Sequence, residues 1–404
     1  MNLMKKKEIN WMKPIKTIIR LLAIASLLMW LATPAMAFHD GGVAYCNGCH
    51  TMHNSENGQS IIPGGVPGVT GDSLTKGADP SSTCLNCHSG SGSYHVFSTT
   101  GGNLTPGGDF YWLTKTLTFP SRPGSTTMKT RNGRNCGHNI VAADFGLVAD
   151  SDLTQAPGGT FPSAQLACSS CHDPHGKIAN NTRQIMGSGS YGDPTPAQGV
   201  LGNYRLLGDV GYRPAPTTTF TNPAPTATTA RTSAANETNS NHTDYGRGMS
   251  EWCSNCHTGF IAAGVGAHRH PASNTATLGS NLSTNYNMYV RSGDLTGTSA
   301  TAYLALVPFE RQISDRTQLS STTTAGASSS SNAMCLSCHR AHASAFTNAG
   351  RWDFEVQFLV DSHPQTTDTG AIATDQLNSY YGRDVAAVFG TGQRSLCNKC
   401  HIQD

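Results

Sequence analysis

The pattern Cys-x-x-Cys-His occurs six times along the chain, and nothing else in the sequence constrains its folding as tightly. The copies begin at Cys46, Cys84, Cys168, Cys253, Cys335 and Cys397. Their second cysteines are Cys49, Cys87, Cys171, Cys256, Cys338 and Cys400, followed by His50, His88, His172, His257, His339 and His401. This spacing is the attachment motif for c-type haem. Two thiols bond the two vinyl-derived carbons of one porphyrin, and the adjoining histidine lies beneath the iron as proximal ligand. Zinc ribbons and redox dithiols also use Cys-x-x-Cys. Zinc sites close one cysteine pair on another, with no preference for a histidine next door. Disulfides would leave the six histidines without a role. The pattern therefore predicts six covalent haem c groups. Cys136, in Asn135-Cys136-Gly137-His138, stands outside it. It reads as a small buried thiol, with an intermolecular disulfide as the alternative.

Ten of the 16 histidines are then left for the distal sides of six irons. Three belong to an extended motif, Cys-x-x-Cys-His-x-x-His, which adds His53, His175 and His342. If the residues after the motif are helical, a three-residue offset brings the second ring near the first. That ring cannot reach the far face of its own flat macrocycle, but it can reach a neighbouring one. His95 follows the second motif closely. His138 and His270 stand beside turn residues that could hold a ring at a haem face. His270 is preferred to His268 because Pro271 stiffens its backbone. His39 completes seven candidates for six seats. His242 and His363 read as surface residues. With histidine this plentiful, methionine ligation is unnecessary, and bis-histidine iron sits at lower potential than His/Met iron.

Composition fits a haem-centred chain. Charged residues make up 13% and hydrophobic residues 37%, with 43 Gly and 20 Pro. Ordinary globular domains carry about 25% charged residues. A formal net charge of +2 argues against both long disorder and a nucleic-acid binder. The motifs run from residue 46 to 401, so no haem-free domain is evident. The spacers 99–106, 151–162, 214–232 and 319–332 are rich in Gly, Ser, Thr, Pro and Asn. The expected fold is mostly irregular coil with short helices and few strands, organised around a chain of six haems. Short helices are expected at the motifs and at 301–306, 351–360 and 384–389. Arg205, Arg213, Arg247, Arg269, Arg291, Arg340 and Arg383 are candidate partners for haem propionates by fork geometry.

Residues 1–37 read as a secretory signal peptide: a basic start, an apolar run over 21–31, and Pro34-Ala35-Met36-Ala37 before the cleavage point. The run is shorter than the roughly 20 residues that span a bilayer. Residues 38–404 then form one hexahaem unit, with no membrane span.

Several segments are similar to one family. Phe38-His39-Asp40-Gly41-Gly42-Val43-Ala44 before the first motif, and Thr51-Met52-His53-Asn54-Ser55 after it, resemble the start of the OmcS-type hexahaem surface cytochromes. Gly248-Met249-Ser250-Glu251-Trp252, Cys338-His339-Arg340-Ala341-His342-Ala343-Ser344 and the ending Leu396-Cys397-Asn398-Lys399-Cys400-His401 do so too. The resemblance runs the length of the chain after residue 37. It implies extracellular filaments with a continuous haem chain, in which stacked and T-shaped haem pairs alternate. It also implies that His53 leaves its own subunit to ligate the fifth haem of the next, held by His339. Cys136, His242 and the spacers, above all 214–232, depart from the family pattern.

The leading expectation is an electron-transfer protein and not an enzyme. It would carry electrons over long range to extracellular acceptors such as metal oxides or other cells, fed by upstream envelope cytochromes. It would act as a subunit of a head-to-tail filament of itself. One alternative is a monomeric periplasmic or cell-surface shuttle. Another is a multihaem reductase, which needs an open iron position. No glycine-rich loop follows an evident strand and opens a helix, so no nucleotide site is expected.

Overall fold

The computed structural model describes residues 46–55, 59–60, 74–90, 95–102, 105–175, 203–229, 237–261 and 270–403. Residues 1–37, expected to be a signal peptide, and His39 and His268 lie outside these residues.

Every described motif begins in or directly after a short helical turn. Helix α1 spans Cys46–Cys49, α2 Pro80–His88, α3 Cys168–Cys171, α4 Met249–Cys253 and α5 Cys335–Cys338. A 3₁₀ turn, Leu396–Lys399, serves the sixth. One helical turn sets the two thiols of a Cys-x-x-Cys pair on one side, which is what a single porphyrin edge requires. Helix α2 starts where it does because Asp79 caps it, accepting the Ser82 N–H at 2.8 Å, and Pro80 occupies the first turn.

Regular structure is otherwise sparse. Strand β1, Thr116–Pro120, pairs antiparallel with β2, Met128–Asn132. Strand β3, Thr226–Thr229, pairs antiparallel with β4, Thr243–Arg247. These form two separate two-stranded sheets. The expectation of mostly coil, short helices and few strands holds.

The helix expected at 384–389 is present as Val385–Phe389, where the Asp384 carboxylate accepts the Ala387 N–H. Two other expected helices are corrected. Residues 301–306 are not helical. They belong to an irregular run, Ala302 to Val307, buried on every side. A segment with no polar face has no amphipathic reason to coil, and Pro308 follows it. Residues 351–360 hold only the 3₁₀ turn Leu359–Asp361 at their end. Their amide donors go elsewhere: Arg351 N–H to Cys338 O, and Glu355 N–H to the Asp353 carboxylate. The longest helix among the described residues, Gly279–Met288, was not foreseen. It is polar apart from Leu282, Tyr286 and Met288, and Tyr286 alone anchors it deeply, donating its hydroxyl to Val307 O at 2.9 Å.

The larger polypeptide core gathers Tyr286, Tyr303, Leu306, Phe309, Phe346 and Trp352. Beside it lies an ionic cluster. Glu237 binds Arg340 at 2.8 Å and Arg351 at 3.3 Å, with all three side chains almost fully buried. The Arg340 guanidinium also lies 3.5 Å from the centre of the Tyr381 ring. Arg340 is thus committed largely to protein partners, and Arg383 donates to the Glu237 carbonyl. Two histidines expected at the surface are buried instead. His242 is 2% exposed and stacks on Tyr303; His363 is 8% exposed and stacks on Phe119. Their Ser/Thr-rich or Asp-Ser neighbourhoods look solvated in sequence, but aromatic faces cover the rings. Cys136 is buried, as a small thiol would be.

Candidate functional site

The motif turns are packed against one another in chain order. The Cys84 thiol is hydrogen-bonded to that of Cys168 and feels Cys49. Cys171 feels Cys256, and the Cys253 thiol is hydrogen-bonded to that of Cys335. Cys338 in turn feels Cys397 and Cys400. The six motifs therefore form one series, first to sixth. None of the described cysteines is disulfide-bonded.

Two of these junctions are built alike. Ser81, three residues before Cys84, accepts the Cys168 N–H at 3.1 Å. Ser250, three residues before Cys253, accepts the Cys335 N–H at 2.9 Å. The third and fifth motifs also share a serine before their second cysteine. Ser170 accepts the Ala167 N–H and Ser337 the Met334 N–H, each closing the start of its turn. So the second and third motifs repeat the arrangement of the fourth and fifth. Sequence reasoning missed this, although the serines at matching offsets carried the signal.

A cavity of about 1000 Å³ runs along the second to fifth motifs, lined by their cysteines and histidines and by apolar side chains such as Leu85, Phe110 and Phe161. A smaller one, about 90 Å³, lies between the fifth and sixth, walled by Tyr286 and Trp352.

The helical condition set for the extended motifs fails at the third and fifth, although the fourth motif does run on into a short helix, Thr258–Ile261. The backbone turns extended at the motif histidine: His172 has φ −103° and ψ 130°, and His339 φ −113° and ψ 163°. In the third and fifth motifs the second histidine is thereby thrown away from the first and meets a distant one. His175 faces His50, with ring centroids 6.3 Å apart and planes within 8°. His342 faces His172 at 6.3 Å. His138 faces His257 at 6.0 Å, and His270 faces His401 at 6.1 Å. Two imidazoles sharing one first-row metal ion, each bonded at roughly 2 Å, have centroids roughly 6 Å apart. The four spacings are too long for ring stacking contact and suit a metal ion between the rings.

The second ring nitrogens agree. The Nδ1 atoms of His172, His257 and His339 lie 2.7, 2.8 and 2.8 Å from the carbonyls of Arg205, Pro157 and Asn348. His138 Nδ1 lies 2.7 Å from Ala341 O, and His342 Nδ1 3.3 Å from Gly108 O. A carbonyl can only accept, so Nδ1 carries the proton and Nε2 presents its lone pair to the metal. Burial pushes His138 down to about 4 and His342 down to about 3, and lowers His172 and His339 as well. These rings stay neutral, as ligands must. The residues present thus fit haem: paired neutral imidazoles, thiols at porphyrin spacing and an apolar groove. Among the described residues no three His, Cys, Asp or Glu side chains converge as a site for a bare ion. The second partners are backbone carbonyls, which no side-chain motif announces.

The remaining candidates are placed as follows. His95 returns beside the second motif, where Val96 N–H donates to His88 O at 2.9 Å; its Nδ1 is buried with no hydrogen bond. His53 is exposed, and no histidine ring stands opposite His339 among the described residues, where Phe354 meets it edge-on at 5.7 Å. His242 points its Nε2 at Thr323 O, 2.9 Å away, and stacks on Tyr303 rather than facing a motif histidine. Among the described residues no helix is long and apolar enough to cross a membrane.

No family model matches the sequence. The chain is 44% identical to the C-type cytochrome OmcS of Geobacter sulfurreducens, over 95% of this chain and 98% of that one. Two cryo-electron microscopy and filament structures of that cytochrome superpose on it. For the OmcS nanowires the TM-score is 0.78 at 41% identity; for the Outer Membrane Cytochrome S filament it is 0.77 at 42%. Each match covers 91% of this chain and all of the other.

Proposed function

Because the chain belongs to the OmcS family of c-type cytochromes, we propose that it carries electrons over long range to extracellular acceptors, as the repeating unit of a head-to-tail haem filament. It is an electron-transfer protein bearing six covalent haem c groups. Residues 1–37 direct its export, upstream envelope cytochromes supply its electrons, and metal oxides or other cells accept them.

The observation that carries this reading is a relay among the extended motifs. The third motif's second histidine, His175, faces the first motif's His50. The fifth motif's second histidine, His342, faces the third motif's His172. Continuing the relay, His339 of the fifth motif would face the second histidine of a further extended motif. This chain has none beyond the fifth, but the next copy offers one: its first motif, with His53 exposed. Such a contact joins two different surfaces, so it repeats without closing and builds a fibre.

When bound, each haem supplies a one-electron iron couple. The chain's own residues do the rest. The cysteine pairs fix each macrocycle's edge, and the carbonyl-held Nδ1–H groups fix the ligand tautomers. The four histidine pairs would give their irons two imidazole ligands each, which favours low potential and would leave no seat for a substrate there. The serine-bridged junctions hold the second motif against the third and the fourth against the fifth, and would keep those macrocycles close. The relatives named as nanowire and filament support the same reading.

Substituting His53→Ala in the haem-loaded protein tests it. Loss of filaments in electron micrographs, with one high-spin ferric haem gained per chain, is expected. Unchanged filaments with six low-spin haems refute the contact.

A further inference from the structure

Five of the described ligand candidates are oriented by a hydrogen bond from Nδ1 to a backbone carbonyl, as metal-bound histidines generally are. His53 makes no such bond among the described residues. The backbone that carries it is pinned at several points.

The chain leaves α1 at His50, which bridges to Thr75. Lys76 N–H donates to Cys49 O at 2.8 Å, and Thr51 N–H to Leu74 O at 2.7 Å. Three residues on, Asn54 adopts φ +43°, the left-handed region that asparagine tolerates better than other side chains. Its N–H donates to Thr51 Oγ1 at 3.0 Å, closing the turn. Its side-chain amide, fully buried, donates to Ser60 Oγ at 2.8 Å. The turn thus has a pinned base and a buried exit, with Met52 (75% exposed) and His53 at its tip.

We propose that Asn54 is the positioning residue that presents His53 to a second copy of this chain. The inference rests on the filament reading above. Holding the ring in its binding direction before contact removes an ordering cost from assembly, and it holds the imidazole within the narrow tolerance of a metal site.

The test compares the haem-loaded wild type with Asn54→Val, Asn54→Gly and His53→Ala. The critical concentration for filament formation is read by sedimentation, and the high-spin ferric signal by electron paramagnetic resonance. Asn54→Val combines a stiff side chain with the left-handed turn and loses the Ser60 anchor. It is expected to raise the critical concentration roughly tenfold and to leave one high-spin haem per unassembled chain. Added imidazole should return that haem to low spin without restoring filaments, a response that mere loss of folding would not give. Asn54→Gly keeps the turn but not the anchor, so a smaller, several-fold rise is expected. Wild-type assembly by both Asn54 variants, with His53→Ala defective, overturns the role of Asn54 alone. If Asn54→Val does not fold, Asn54→Gly decides: a rise supports the role and no rise overturns it. Wild-type assembly by His53→Ala overturns the filament reading beneath it.

Discussion

The imidazoles of His172 and His342 face each other at 6.3 Å, although they belong to the third and fifth motifs. Both are held by carbonyls on Nδ1 and both are kept neutral by burial. On the proposed reading, His342 would be the distal partner of the third haem. In assembled filaments, His342→Ala should therefore convert one haem of six to high spin and open it to carbon monoxide. His242→Ala, compared likewise in assembled filaments, is the control: it should bind no carbon monoxide and leave all six spectra low-spin. Its stacking on Tyr303 is lost instead, at a cost of about 2–4 kcal/mol in stability. Carbon monoxide binding by both variants, or by neither, contradicts the assignment.

Acid should act through the same rings. An unfolded histidine binds a proton near pH 6.5. In the fold His138 does so only near 4 and His342 only near 3, because burial disfavours the charge. Between those values the unfolded state holds more protons, so stability falls as the pH is lowered from about 6.5 towards 4 and below. Iron on Nε2 pushes in the same direction. Melting temperatures followed through the Soret band should decline across that window. A flat profile from pH 7 to 4 counts against buried neutral ligands.

Glu237 neutralises two buried guanidinium groups, at 2.8 Å from Arg340 and 3.3 Å from Arg351. Removing one partner of a buried pair leaves an uncompensated charge and costs about 3–5 kcal/mol. Glu237→Ala should lower the denaturation midpoint accordingly. The Lys129–Glu355 pair is exposed on both sides, and Lys129→Ala should change stability by less than about 1 kcal/mol. Equal effects would contradict the weight given to burial.

The matched serines predict matched losses. Ser81→Ala orphans the Cys168 N–H and Ser250→Ala the Cys335 N–H. Each should cost about 1–3 kcal/mol and leave six haems attached, as counted by the pyridine haemochrome. A variant that loses a haem while keeping its stability would show that the serine serves attachment and not the junction.

The proposed attachment residues and proximal histidines are read from sequence alone, because covalent haem chemistry demands a fixed local spacing. Sequence also revealed the coil-rich fold, since low charge and abundant Gly, Pro, Ser and Thr leave little helical or strand patterning. The distal pairings were not legible. His138 meets His257 and His175 meets His50 only through tertiary folding, and the helical geometry assumed after each motif fails where the backbone turns extended at His172 and His339. The stretch 301–306 looked helical yet lies in irregular core, while the helix Gly279–Met288 is too polar to show a stripe. His242 and His363 were misplaced because the aromatic rings that cover them come from far along the chain.

The central claim is that one copy's first extended motif completes the fifth haem of the next. Cryo-electron microscopy of the purified, haem-loaded protein tests it most directly, by following the density opposite His339. The account predicts a regular fibre with the His53 ring of a second copy on that side. Single particles in which a histidine of the same chain closes that position would contradict it and favour a monomeric shuttle; an empty position in single particles would contradict it in favour of a reductase.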